Sequence, residues 1–212
     1  MDIVKVQLAR AIWLFDTQEL NPRGLKLYPD IFRAFVDKYQ FAVVPKDQEI
    51  QAGGSIYFKQ GRFFHEPLNV QIEVEFELHS DGLVANSRHS TEASDAFLQD
   101  GLSWIGEQLG ASYPPSLHKK RIYRDELIVN MNPQLDKAVA KLVRLSEMLS
   151  TMTRRPTQVT SITFGSEGNS PTLSVDRRAN TPFEEGRYYS TSGLQTSQHI
   201  EMLTIFEKLM AE

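Results

Sequence analysis

The chain has 212 residues, no cysteine and a formal net charge of −4 at neutral pH. The absence of cysteine excludes disulfides, thiolate nucleophiles and every cysteine-ligated metal site. A mildly acidic chain also lacks the strongly basic character of most dedicated nucleic-acid-binding domains. With 41% hydrophobic and 24% charged residues, the composition is typical of a folded globular protein and not of a disordered one.

The N-terminal residues do not resemble a secretion signal. Residues 1–7 show no basic start followed by an apolar core and a cleavage site. The uncharged apolar stretch over residues 11–15 is far shorter than the ~20 residues that span a bilayer. We therefore expect a cytoplasmic protein that is neither exported nor embedded in a membrane.

The first third of the chain predicts a strand, a helix and two further strands. Residues 4–15 are rich in the β-branched and aromatic side chains that are typical of a strand. Pro29 suits the first turn of a helix, and apolar residues recur at helical spacing over residues 30–39. Residues 55–64 indicate two short strands, with a turn between them at Gln60 and Gly61.

Residues 70–79 carry the clearest pattern in the chain, a strict alternation of apolar and polar side chains. The apolar set is Val70, Ile72, Val74, Phe76 and Leu78, and the polar set is Gln71, Glu73, Glu75, Glu77 and His79. Period two places each set on one face, which predicts an antiparallel strand that is buried on one side only. Asp81 and Gly82 then predict a two-residue turn into a return strand over residues 83–90.

This turn fixes a register for the hairpin. It places Leu78 opposite Ala85 on the buried face and Glu75 opposite Arg88 on the other face, where the two charges would pair. The alternative is a three-residue loop with a glycine bulge, which would bury Val84 and turn Arg88 towards the core. Because burying an unpaired guanidinium is costly, we favour the two-residue turn.

A helix and a chain boundary are expected after this hairpin. Thr91 or Ser94 is the predicted cap of a helix that ends at Gly110. Pro114 and Pro115 mark the predicted boundary between two halves, because regular elements do not easily cross two consecutive prolines.

After this boundary the order of elements recurs. The predicted elements are a strand over residues 121–131, a helix from Asn132 and Pro133, strands over residues 161–164, 173–175 and 186–190, and a final helix from Ser197. The final helix carries an apolar stripe at helical spacing. Its members are Ile200, Leu203, Phe206 and Met210.

These patterns together predict an α+β protein with a mostly antiparallel sheet and with helices packed on one face of that sheet. We expect two pseudo-symmetric strand–helix–sheet–helix halves, residues 1–113 and residues 114–212, which together form one compact unit. The prediction of a repeat depends on the order of elements and on short matches such as Ser90-Thr91 and Ser190-Thr191, each of which is expected after the last strand of its half.

The polar face of residues 70–79 is the first candidate site. Carboxylates and an imidazole on one face could serve a hard-metal site or an acid–base pair. A single strand offers such groups in a line, whereas a metal site needs ligands that converge. We therefore expect a solvated face with cross-strand cations and predict neither a metal nor a cofactor.

Other catalytic signatures are missing from the sequence. No two histidines have the i, i+4 spacing of a zinc motif, and no serine occupies a Gly-x-Ser-x-Gly elbow. The glycine-containing residues 165–170 lack the spacing of a phosphate-binding loop, so we expect a hairpin loop there.

Basic residues are concentrated in the second half of the chain. They are His118, Lys119, Lys120, Arg121, Arg124, Arg154, Arg155, Arg177, Arg178 and Arg187. With Tyr123, Tyr188 and Tyr189 between them, they could follow a phosphate backbone and stack on bases. The alternative is a set of solvated segments and cations at a helix C-terminus.

The lack of catalytic signatures, together with long half-exposed strands, favours a non-enzymatic binding or assembly protein that acts through a sheet face or edge. We expect a protein partner or self-association as a homo-oligomer. The second hypothesis is an enzyme or small-ligand binder with a site in the cleft between the halves, where strand ends approach helix starts and Arg88, His89 and Arg187 are the candidate catalytic residues. Nucleic-acid binding through the basic second half is the third hypothesis.

Overall fold

The computed structural model describes residues 1–21, 28–46, 55–110, 120–131, 140–166 and 171–211. The strands are β1 (Asp2–Leu14), β2 (Ile56–His65), β3 (Val70–His79), β4 (Gly82–Ser87), β5 (Lys120–Asn130), β6 (Ser161–Gly165), β7 (Pro171–Arg177) and β8 (Arg187–Ser192). The helices are α1 (Tyr28–Tyr39), α2 (Thr91–Leu109), α3 (Ala140–Thr153) and α4 (Thr196–Ala211). The strands form an antiparallel sheet, so the predicted α+β class is confirmed.

The strands are hydrogen-bonded in the order β2-β3-β4-β1-β5-β8-β7-β6. The chain separates into two compact units, which we call the first unit (residues 8–124) and the second unit (residues 1–7 and 125–212). In the sets β1–β4 and β5–β8 alike, the last strand along the chain lies beside the first. The pseudo-symmetry of the two halves stays a prediction.

Several predicted features lie outside the described residues. They are the boundary at Pro114 and Pro115, the helix start at Asn132 and Pro133, most of the loop over residues 165–170, and the basic residues His118 and Lys119. Within the described helices, no segment is long and apolar enough to cross a membrane.

The core of the first unit is built largely from aromatic rings. The ring of Phe35, on α1, lies 5.0 Å from that of Phe76 on β3 and 6.1 Å from that of Phe97 on α2, measured between centroids. Phe41 and Phe58 extend the cluster, with centroids 5.5 Å apart. Tilted and edge-on ring pairs of this kind add to the free energy of apolar burial. The alternation predicted for β3 is confirmed, because its apolar side chains supply this core.

The predicted turn at Gln60 and Gly61 is wrong. These residues belong to the continuous strand β2, whose register against β3 shifts between Phe58 and Gly61. Gln60 has a φ of 56°, and a Cβ on Gly61 would lie only 2.4 Å from the ring of Phe41. A β-bulge therefore makes room for this ring at the point where the sequence suggested a reversal of the chain.

The hairpin of β3 and β4 has the predicted faces but not the predicted register. Leu78 lies opposite Leu83 and not Ala85, and Glu75 lies opposite Asn86 and not Arg88. A shift of two residues leaves every side chain on its expected face. The expected Glu75–Arg88 pair is therefore absent from the register, and Arg88 lies exposed beyond the end of β4.

The cause of the shift is the chain that follows β1. The backbone N–H of Phe15 donates to the carbonyl of Asp81 (3.0 Å), and that of Thr17 donates to the carbonyl of Ser80 (3.1 Å). A Cβ on Gly82 would lie 2.3 Å from the carbonyl oxygen of Trp13. Glycine is needed here for close contact with β1, and the turn moves to the two residues before it.

Helix α2 has the predicted end but a different start. The side chain of Ser90 accepts a hydrogen bond from the backbone N–H of Ala93 (3.1 Å), so Ser90 is the cap in place of Thr91 or Ser94. Gly110 ends the helix in the left-handed conformation, with a φ of 66°.

The predicted match of Ser90-Thr91 with Ser190-Thr191 is wrong, because Ser190 and Thr191 lie inside β8. The residues that share a role are the serines at the ends of β4 and β8. Ser87 and Ser192 each accept a hydrogen bond at Oγ from the backbone N–H two residues later, at 3.3 and 3.1 Å. The segment after β4 and the segment after β8 thus leave the sheet through the same type of local turn.

The core of the second unit is smaller and mainly aliphatic. Its buried members are Leu127, Val129, Met131, Leu173, Val175, Tyr188, Leu203 and Phe206. Leu203 and Phe206 come from the predicted stripe of α4, and Ile200 and Met210 pack against the same cluster, so the stripe is confirmed.

We expect Phe76→Ala to lower the free energy of unfolding by about 3–5 kcal/mol, because it removes a buried ring from the aromatic core. Glu75→Ala, one residue away on the opposite face, should change it by less than about 0.5 kcal/mol. Urea unfolding followed by circular dichroism measures both values. Equal losses would show that the glutamate face is covered as completely as the core face.

Candidate functional site

The glutamates of β3 interact with polar groups of the neighbouring strands. The side-chain N–H of Asn86 donates to Glu77 Oε1 (3.0 Å), and the guanidinium of Arg10, on β1, lies 3.4 Å from the same oxygen. Arg10 Nε also donates to Asn86 Oδ1 (2.7 Å), and His79 Nε2 lies 3.2 Å from Glu77 Oε2. The guanidinium of Arg10 thus neutralises part of the negative charge on this face of β3. Among the residues that the structure describes, no three or more His, Asp or Glu side chains form a group that could hold a metal ion.

The three candidate catalytic residues divide between the two units. Arg88 and His89 are adjacent after β4 in the first unit, Arg88 exposed and His89 half-buried. Arg187 begins β8 in the second unit, where its guanidinium lies 3.9 Å from Glu185 and its Nε donates to Asn130 Oδ1 at 3.4 Å. Arg88 and His89 are neighbours in sequence and Arg187 belongs to the other unit, so the catalytic role of the three residues stays a prediction.

His89 lies beside a buried imidazole, that of His65 at the end of β2. The ring centroids are 6.5 Å apart, and neither Nδ1 atom has a hydrogen-bond partner among the described residues. Two imidazoles on one tetrahedral zinc ion would have centroids about 5 Å apart, given zinc–nitrogen distances of 2.0–2.1 Å. The rings as placed are therefore too far apart to share such an ion.

Arg121, one of the basic residues of the nucleic-acid hypothesis, is engaged within the first unit. Its guanidinium lies 4.3 Å from the ring centroid of Trp13 and 3.2 Å from the carboxylate of Asp95. The same carboxylate accepts a hydrogen bond from Trp13 Nε1 (2.6 Å) and one from the hydroxyl of Tyr123 (3.3 Å). Burial and then the negative charge of Asp95 raise the pKa of Tyr123. Trp13 and Tyr123 are thus parts of a structural cluster.

A fully buried polar cluster lies inside the second unit and joins Asp125, His199 and Ser190. Asp125 Oδ2 lies 2.8 Å from His199 Nδ1, and His199 Nε2 lies 2.9 Å from Ser190 Oγ. Thr196 Oγ1 donates to the other oxygen of Asp125 (2.9 Å), and Ser190 Oγ donates to the carbonyl of Ser174 (2.6 Å). The order of groups is that of a serine-hydrolase triad.

The direction of the hydrogen bonds differs from that of a catalytic triad. A carbonyl can only accept, so the single hydroxyl proton of Ser190 points to Ser174 and the hydroxyl oxygen accepts from His199 Nε2. In a triad the serine instead donates to the imidazole, which then takes its proton. Since Asp125, His199 and Ser190 are also all fully buried, the cluster holds α4 against the sheet and offers no nucleophile to a substrate.

The same hydrogen bonds fix the number of protons in the cluster. With Nε2 donating to Ser190, His199 either also donates from Nδ1 to the Asp125 carboxylate or accepts the carboxyl proton of Asp125. Either arrangement makes the pair neutral as a whole. A neutral pair is the form that a fully buried site tolerates at the lowest cost.

The sequence contains a signal for this cluster that the search for motifs missed. Asp125 is in phase with Leu127 and Val129 along β5, and His199 lies four residues before the buried Leu203 of α4. Ionisable residues at core positions of a strand and a helix need partners, and they are most simply partners of each other. Ser190 is likewise in phase with Tyr188 on the buried face of β8.

No protein-family model matches this chain, and no curated protein is significantly similar to it in sequence.

We expect Ca²⁺, Mg²⁺ and Zn²⁺ at modest excess to leave the melting temperature unchanged, because an ion bound by the native state would raise it by mass action. Differential scanning calorimetry with and without each ion tests this. A rise of several degrees that Glu75→Gln abolishes would contradict the solvated face of β3. A rise that His89→Gln abolishes would show instead that the two imidazoles move together on an ion.

We expect Asp125→Ala to lower the free energy of unfolding by about 3–5 kcal/mol, since it leaves a buried imidazole without its carboxylate. Asp81→Ala, at an exposed aspartate of a turn, should change it by less than about 0.5 kcal/mol. Urea denaturation of both variants provides the comparison. A small loss for Asp125→Ala would show that the cluster does not hold α4 in place.

Proposed function

We propose that the protein is a non-enzymatic assembly protein that associates with further copies of itself. The observation that carries this proposal is the outward apolar face of α3. Its large side chains are 37–79% exposed and comprise Leu142, Leu145, Met148, Leu149 and Met152. Monomeric soluble proteins rarely expose contiguous apolar patches larger than a few hundred Å².

The half-buried face of α3 carries polar residues, and this adds to the significance of the exposed apolar face. The half-buried residues of the helix include Val143, Ser146 and Ser150, which follow one another at helical spacing. Ser150 Oγ donates to the carbonyl of Ser146 (2.8 Å) and accepts from the backbone N–H of Thr157 (2.8 Å). A surface helix normally turns its apolar stripe to the core and its polar face to water. Here the arrangement is reversed, which is the pattern expected when another molecule covers the apolar stripe.

Further apolar side chains of the second unit are exposed. Met202, Ile205 and Leu209 lie on the outer side of α4, and Phe164 lies on β6, the last strand in the sheet order. An edge strand presents unpaired backbone groups that can bind another chain. The sheet edge that the sequence favoured is thus a second route of association, with a smaller apolar surface than α3.

A second copy is the partner that we propose for this surface. The five large apolar side chains of α3 and the three of α4 are each more than a third exposed, and a stable interface buries about 800 Å² per partner. Most soluble oligomers are homo-oligomers with closed symmetry, in which one patch meets itself. The enzyme and nucleic-acid hypotheses stay predictions, and no geometry in the described residues favours either.

We expect the purified protein to sediment as a dimer or a larger closed oligomer at micromolar concentration. Analytical ultracentrifugation over a wide concentration range measures this, because a mass-action equilibrium shifts towards monomer on dilution. A protein that stays monomeric at the highest concentration would contradict self-assembly.

A further inference from the structure

We infer that α3 of one copy packs against α3 of a second copy along a seam of four side chains, and this inference rests on the proposed self-association. Leu142, Leu145, Leu149 and Met152 follow one another at intervals of three, four and three residues. These are the a and d intervals of a heptad, which bring the side chains of a helix into a single line that can interlock with an equal line. All four are exposed.

The seam is complementary to itself in either orientation. In an antiparallel pair, Leu145 lies opposite Leu149 of the second copy, and Leu142 lies opposite its Met152. In a parallel pair each residue meets its own equivalent. Both arrangements form four apolar layers without a gap, since leucine and methionine have similar volumes.

The residues that flank the seam allow two helices to approach. Ser146, Met148 and Thr153 occupy neighbouring e and g positions and carry no charge, and Lys141 is the one charged residue of the helix at such a position. The exposed charged residues of the helix, Arg144 and Glu147, lie further round it and have opposite signs. Lys141 comes before the first layer of the seam, so the layers of a pair of α3 helices contain no charged residue.

The length of α3 shows that the seam is part of a larger interface. Four seam residues span little more than one heptad, and an independent coiled coil needs about three or four. The outward stripe of α4, Met202, Ile205 and Leu209, has the same three-four spacing and supplies further apolar surface. We therefore place α3 at the centre of the contact between two folded copies.

A pair of matched variants tests whether the seam mediates assembly. Leu145→Glu puts a charge in the centre of the seam and should weaken self-association at least roughly thirtyfold, as expected for a central hot-spot residue. Thr151→Glu adds the same charge to an exposed position of the same helix outside the seam, and it should have little effect. Circular dichroism and melting temperature confirm that both variants fold.

The absence of cysteine from the chain permits a direct geometric test. Leu145→Cys, Leu149→Cys and the control Thr151→Cys each introduce a single thiol, and a glutathione buffer then selects pairs whose geometry fits a disulfide. A parallel seam gives crosslinks within each seam variant. An antiparallel seam gives crosslinks mainly in a mixture of Leu145→Cys and Leu149→Cys. In both cases Thr151→Cys should crosslink least.

The outcomes separate the inference from the function on which it rests. A dimer that persists in Leu145→Glu, with no crosslink above the Thr151→Cys control, would overturn the α3 seam and leave self-assembly standing. A wild-type protein that is monomeric would overturn both. Loss of the dimer in Leu145→Glu alone, together with a seam crosslink, would establish the pairing and its orientation.

Discussion

Each unit depends on a place where two backbones touch and no side chain fits between them. A Cβ on Gly82 would lie 2.3 Å from the carbonyl oxygen of Trp13, and a Cβ on Gly186 would lie 2.2 Å from that of Met131. Gly186 also has a φ of 57°, a conformation that favours glycine. Because of these contacts, β4 can begin directly beside the end of β1, and β8 beside the end of β5. The register of each pair then follows along its whole length.

The polar clusters of the two units are positioned by these registers. Strand β4 brings Asn86 level with Glu75 and with Arg10, so one amide serves a carboxylate and a guanidinium on the same face. Strand β8 brings Ser190 under α4, where His199 meets it. A slip of one residue would turn both side chains to the wrong face. The hydrogen-bond networks are thus consequences of strand placement as well as contributors to it.

The local elements could be predicted from sequence because their signals are local. The alternation of β3, the stripe of α4 and the glycine after α2 each act within a few residues. Two of the predictions that failed concern long-range contacts. The sequence predicts a turn at Gly61 and another at Gly82, but Gly61 makes room for the ring of Phe41 and Gly82 makes room for the backbone of β1. A glycine shows that space is needed and does not show what fills it.

The buried cluster in the second unit could not be predicted from sequence for the same reason, because it depends on a contact between distant residues. Asp125 and His199 are 74 residues apart in sequence, so no motif joins them, although each has a core position in its own element. The spacing of the histidines in the sequence therefore gives no indication of this cluster. Arg88 and His89 are candidates because the sequence predicts strand ends near a helix start, and both do lie between β4 and α2. The outward face of α3 could not be inferred at all, because an apolar helical stripe predicts burial in the same chain as readily as burial by another.

The tryptophans, which report on unfolding by their fluorescence, are unevenly distributed between the two units. Both tryptophans of the chain, Trp13 and Trp104, belong to the first unit. Trp13 is fully buried, bonded to Asp95 and stacked with Arg121, so its emission will change when that unit opens. The second unit contains tyrosine but no tryptophan. Intrinsic fluorescence excited at the red edge therefore follows one unit alone, while far-ultraviolet dichroism follows both. Comparing the two signals would show whether the units unfold together or in turn.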